Sequence, residues 1–213
     1  MKRDDADQAD KRLLSLKKSP TQERAKSLVD SILEATTRLL GVGPVSTREI
    51  AEKAGVGIGS LYEYFPGKEA IFARLIELDL EKNDRRLKAF IETLQGQDLR
   101  SKVTAIVDFG VEQFLSGSEF KQRLFKNVYH LRKVRDVLEA WNGIAETFSK
   151  LMREHPSEIK IPEERIEAAA YVTSNAVQGL LQIYLLSENR RFSKEKLKIE
   201  ITDLACSYLL KSQ

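Results

Sequence analysis

The chain has 213 residues, 42% hydrophobic and 31% charged, with a formal net charge of +3; that describes a soluble globular protein with enough apolar material for a core. Cys206 is the only cysteine, which excludes an internal disulfide framework and makes a reducing cytoplasm the expected compartment. No apolar run approaches the roughly 18 residues needed to span a bilayer, and the opening MKRDDADQADKR has no apolar stretch behind its charges, which speaks against a secretory signal.

At the amino-terminal end Lys11, Arg12, Lys17, Lys18, Arg24 and Lys26 gather with only Glu23 opposing them just before and within the first helical pattern. Such a segment is either a flexible basic arm that follows a phosphate backbone or a solvated tail. Leu28, Ile32, Ala35 and Leu39 then recur at helical spacing and predict a helix from about Thr21, a capping residue after Pro20, to Leu40, ended by Gly41 and Gly43. Six of the eleven glycines and two of the five prolines fall between residues 41 and 67, a compact zone of tight turns.

Within that zone Ser46 and Glu49 form an S-x-x-E capping box that starts a second helix through Ile50, Ala51 and Ala54. Gly55 can take the left-handed conformation that ends it. Gly57 and Gly59 leave the start of a third helix nearly bare, so that a phosphate or base edge can approach its free amides. Leu61 and Phe65 are expected to lock this helix onto Ile50 and the first helix. Ile58, Ser60, Tyr62 and Tyr64 are left for the outward side, with Thr47 and Arg48 on the first turn of the preceding helix and Lys68 just beyond. Tyrosine hydroxyls bond phosphates and an exposed isoleucine can pack on a thymine methyl. The third helix has no Arg, Lys, Asn or Gln, so Arg48 is expected to carry much of the base discrimination and DNA shape the rest. This is the layout of a helix-turn-helix.

The stretch from Thr21 to about Leu78, with TREIAEKAGVGIGSLYEYFPGKEAIF at its centre, resembles the DNA-binding domain of the tetracycline-repressor (TetR) family. The match covers the first third of the chain, and the order GVGIGSLYEYFPGKE is highly specific for it. The resemblance implies an all-helical, homodimeric transcriptional regulator, usually a repressor, whose carboxy-terminal body binds a small molecule that releases the DNA. By similarity, the residues matching the family's DNA contacts are Thr47, Arg48, Gly57, Ile58, Ser60, Tyr62, Tyr64 and Lys68. The extension of roughly 20 residues before the first helix departs from commoner members, and its role is open.

Beyond Lys68 the pattern stays helical, with about nine helices in all and no sheet expected. Residues 1–20 read as a flexible extension, 21–67 as the helix-turn-helix domain, and 68–213 as an effector-binding and dimerisation domain. In the last two helices Ala169, Thr173, Ala176, Leu180 and Ile183, and Leu197, Ile201, Leu204 and Tyr208, form stripes at helical spacing. Such stripes serve either an intramolecular core or a twofold four-helix interface; the resemblance favours the interface. Cys206 is expected to pack inside or beside this bundle. Phe109, Phe114, Phe125, Tyr129, Trp141 and Phe148 crowd the middle and are candidates to line a cavity for an apolar or aromatic effector, or simply core. His130 is either a polar anchor in that cavity or an ordinary surface or core histidine.

Two histidines, one cysteine and no H-E-x-x-H, G-x-S-x-G, P-loop or dinucleotide fingerprint give no catalytic set, and no metal or other cofactor is expected. The expected partners are a double-stranded DNA operator, a second copy of the chain and a small-molecule effector, with no membrane. The alternative is a module that uses DNA as a scaffold for a protein partner without any effector.

Overall fold

The computed structural model describes residues 23–128 and 135–211, without the side chains of Arg24, Ser118, Val128 and residues 135–142. Among the described residues the chain forms nine α-helices and no strand. They are α1 (Glu23–Leu40), α2 (Thr47–Ala54), α3 (Ile58–Tyr64), α4 (Lys68–Glu92), α5 (Leu99–Leu115), α6 (Ser118–Val128), α7 (Arg135–Arg153), α8 (Ile166–Leu186) and α9 (Lys194–Leu209). The all-helical class expected from the periodicity is the one the chain adopts. Lys11, Arg12, Lys17, Lys18, Tyr129 and His130 lie outside the described residues.

The described residues fall into two compact units, 23–79 with 119–128 and 135–137, and 80–118 with 138–211. In the first, α1 buries Val29, Ile32, Leu33, Ala35 and Leu40, and packs on α2. Thr36 is buried among them because its Oγ1 donates to the Ile32 carbonyl at 2.7 Å, which removes the cost of hiding a hydroxyl. Ile50, Leu61, Phe65, Ile71 and Phe72 complete this core, each essentially inaccessible and each stabilising the fold by about 1.5–3 kcal/mol through burial. Helix α6 belongs to the same unit. Its Arg123 Nη1 donates to the Leu40 carbonyl at 3.2 Å, one of the acceptors the end of α1 leaves without an intrahelical partner. The buried Lys121 Nζ lies 3.1 Å from Asp79 Oδ2.

In the second unit Asp98 caps α5, its Oδ1 accepting the Ser101 amide at 2.9 Å, and Ser193 caps α9. Helices α5, α8 and α9 pack together over Ile106, Val111, Leu181, Leu185, Ile201 and Leu209. The rings of Phe90 and Phe109 stack with centroids 4.5 Å apart. The connection between α7 and α8 is tied to the start of α5: Lys102 Nζ donates to His155 Nε2 (2.9 Å), His155 Nδ1 to Glu158 Oε1 (2.8 Å), and the Leu99 amide to Glu158 Oε2 (2.7 Å). Cys206 is buried, and burial pushes its thiol pKa up. That is the setting of an inert, packed thiol.

On the surface of this unit Lys198 and Lys194 reach Glu112 at 2.8 and 2.9 Å. Hydrogen bonds from Lys198 and then Lys194 hold the Glu112 carboxyl below its ordinary range, and the bond to Glu112 raises Lys198. Glu112's contribution is complete above the ordinary carboxylate range and is lost as pH falls through its depressed folded value. That of Lys198 is complete below the ordinary lysine range and is lost as pH rises through its raised value. The clamp therefore acts across the neutral window. Glu112→Gln is expected to lower the melting temperature slightly at neutral pH, with the difference from the unsubstituted chain vanishing in strong acid; an equal difference at both would show that the clamp contributes nothing.

Candidate DNA interface and ligand cavity

The turn between α2 and α3 is fixed at both ends by local chemistry. Ser46 stands in extended conformation before α2; its Oγ accepts the Glu49 amide at 3.3 Å, while its own amide donates to Glu49 Oε2 at 2.8 Å. Both halves of the capping box are thus made. The Ser46 hydroxyl, then its amide, hold the Glu49 carboxyl below its ordinary pKa. At the other end Gly55 has φ +68° and ψ +30°, a region that costs an L side chain roughly 1–2 kcal/mol. Its amide donates to the Ala51 and Glu52 carbonyls, and the Val56 amide donates to Ala51 at 3.0 Å. Gly57 then starts α3 with no side-chain cap, so no side chain of the cap residue takes up the first amides of that helix.

Gly57, Ile58 and Tyr62 are exposed, as is Arg48, while Thr47, Ser60 and Lys68 are half-buried. The Tyr62 hydroxyl and Thr47 Oγ1 lie 3.1 Å apart and tie α3 to the first turn of α2. Arg48 and Lys68 form no ion pair among the described residues, so their charges are open to a phosphate or base. Tyr64 corrects the expectation. It is 8% exposed, because it follows Leu61 by three residues and precedes Phe65 by one, which puts all three on the inward face. Tyr62 lies about 200° away on a helix of 3.6 residues per turn.

The second unit holds a cavity of about 100 Å³. Phe109, Phe114 and Phe148 line it with Leu80, Val111 and Leu181. Phe125 does not; it is buried in the first unit. Tyr129 and the side chain of Trp141 lie outside the described residues. Asp84, Ser174 and Gln178 also line it, and the sequence pattern assigned none of them a role there.

The interface stripes on α8 and α9 also need correction. Ala169, Thr173, Leu197 and Ile201 are buried within their own unit, and Thr173 Oγ1 donates to the Ala169 carbonyl at 2.8 Å, so none of them is free to meet a second chain. Ala176, Leu180, Ile183 and Leu204 do stand outside, and Tyr208 is half-buried. Tyr171 and Val172 extend this exposed apolar face. Helix α8 is apolar nearly all round, so periodicity alone does not say which of its stripes faces the core. Among the described residues no helix is long and apolar enough to cross a membrane, and no cluster of His, Cys, Asp or Glu could hold a metal ion.

Residues 32–75 match the family model described as bacterial regulatory proteins, tetR family. Nucleoid occlusion factor SlmA of Haemophilus ducreyi is 24% identical over 152 residues, 58% of this chain and 73% of that protein. The HTH-type transcriptional repressor KstR of Rhodococcus jostii is 33% identical over 73 residues, 34% of each chain. Among solved structures, a protein from Mesorhizobium loti described as a TetR-family transcriptional regulator shares the fold with a TM-score of 0.66 at 16% identity, over 89% of this chain and 100% of that one.

Proposed function

Because this chain belongs to the tetR family of bacterial regulatory proteins and is a DNA-binding transcriptional regulator, we propose that it represses transcription as a homodimer that a small apolar effector releases from its operator. The observation that carries the reading is the geometry around Gly55: a capped helix, a left-handed glycine, and a short helix whose bare start, with Ile58 and Tyr62, stands exposed beside Arg48. A helix so presented fits the major groove. A twofold operator calls for a twofold protein, and the outward apolar face of α8 and α9 suits a second copy.

Release of the DNA follows from the chain's continuity. Helix α4 supplies Lys68–Asp79 to the first unit and its remainder to the second, where Leu80, Asp84 and Leu87 line the cavity. An effector filling the cavity acts on the same helix that begins directly after the reading helix. DNA and effector then oppose each other through one reciprocal coupling. The roles assigned to two basic residues are testable by DNA binding at varied salt. Arg48→Ala is expected to flatten sequence preference by about 1–3 kcal/mol, whereas Lys68→Ala weakens all duplexes alike and reduces the salt slope by about one. Equal losses on specific and random DNA for Arg48→Ala would overturn its assignment.

The likeness to a protein named for nucleoid occlusion rather than for transcription supports a second reading, a DNA-scaffolded module for a protein partner. A duplex-dependent pull-down of that partner, with no small molecule altering DNA affinity, is the result that would favour it.

A further inference from the structure

The cavity of the second unit holds an imbalance that its apolar walls conceal. Three polar atoms in the described residues are buried with no hydrogen-bond partner in the protein, Asp84 Oδ1, Ser174 Oγ and Gln178 Oε1, and all three residues line this one cavity. Ser174 and Gln178 are one turn apart on α8, on the face that also presents Leu181. Asp84 faces them from α4. Its Oδ2 is already held by Lys88 Nζ at 2.8 Å, so its charge is met and Oδ1 is left as a bare acceptor. On α7, Gly143 lies against that oxygen, a Cβ built there falling 3.4 Å from it, in van der Waals contact.

Two of the three atoms only accept hydrogen bonds and the third does either. An occupant that displaces solvent from them and offers no donor leaves buried acceptors unsatisfied, at a cost larger than an ordinary hydrogen bond is worth. A carboxylate in their place would find only the Ser174 hydroxyl able to donate to it and would stand against the Asp84 carboxylate, charge against like charge. We infer that the effector is a neutral, compact apolar molecule carrying an O–H or N–H group, anchored by Asp84, Ser174 and Gln178, and that the site rejects molecules ending in a carboxylate. This rests on the reading of the cavity as the effector site. The volume of about 100 Å³ is smaller than the roughly 150 Å³ cavity that admits benzene in another protein, so the enclosed part of the occupant is compact, one small ring at most.

The test uses the intact chain and three probes of one girth, 4-ethylphenol, 4-ethylanisole and 4-ethylbenzoate, titrated by calorimetry. The phenol is expected to bind at least about ten-fold more tightly than its methyl ether, the loss of one good hydrogen bond to a buried acceptor, and the benzoate more weakly than either. Gln178→Leu and Ser174→Ala are each expected to shrink the ratio of phenol to ether. Without ligand, Ser174→Ala is expected to melt no lower than the parent chain, because it removes a hydroxyl that has no partner. Equal binding of phenol and ether, a benzoate that binds as tightly as the phenol, or a ratio unmoved in both variants would overturn the donor requirement and leave the cavity its role. So would a Ser174→Ala chain that melts markedly lower. Binding of none of the three would overturn the cavity reading together with the inference.

Discussion

Gly59→Leu is expected to abolish specific DNA binding by a chain that melts at or above the parent temperature. Gly59 is the second residue of α3; it is exposed, and a Cβ built on it meets nothing within 4 Å. Its backbone is helical, so leucine there gains helix propensity of up to about 1 kcal/mol, or a rise of about 2–4 °C in a chain of this size. The same side chain stands at the bare start of the reading helix and holds the backbone away from phosphate and base edges. A loss of two or more close hydrogen bonds corresponds to about 100-fold or more in affinity. Gly55, four residues earlier, separates this effect from a folding defect. Space around it is equally open, but φ is +68°, so Gly55→Val is expected to lower the melting temperature and to lose DNA binding through the fold. If Gly59→Leu binds DNA unimpaired, the start of α3 does not face the groove.

Ile183→Glu is expected to convert the proposed homodimer to a monomer that keeps its helical content. Ile183 is 67% exposed and its neighbour along the stripe, Leu180, 39%, so neither supports its own unit. Across a twofold axis each substitution occurs twice, and two carboxylates would be buried without partners. Operator affinity then falls by about 10²–10⁴, the advantage that linking two half-site contacts confers. Sedimentation and DNA titration read the two effects together. Ile201→Glu, at a position with no exposure, is expected to unfold the second unit instead. A dimer that survives Ile183→Glu would place the interface elsewhere.

Local rules made the reading head legible. Ser46, Glu49 and Gly55 act through contacts within a few residues of themselves, so the spacing of their side chains states the geometry directly. Tyr64 misled because alternation in Y-E-Y suggests a shared side, whereas in a seven-residue helix the inward set is Leu61, Tyr64 and Phe65. The stripes of α8 and α9 misled for a different reason. Ala169 and Thr173 follow the same spacing as Ala176 and Leu180, and only packing against α5 and α9 decides which are covered. Asp84 carried no sequence signal, being one more charge in an acidic and basic helix. Ser174 and Gln178, polar residues one turn apart in an apolar helix, were a signal of a polar feature facing inward.

Selection of duplexes from a random pool by the purified chain, followed by titration of the enriched sequence in dilute salt, tests the central claim most directly. The expected result is a site of two related half-sites about one helical turn, or a multiple of it, apart, bound by two chains and lost in Gly59→Leu. A pool that enriches no sequence, with the chain binding no duplex in preference to any other, would contradict it.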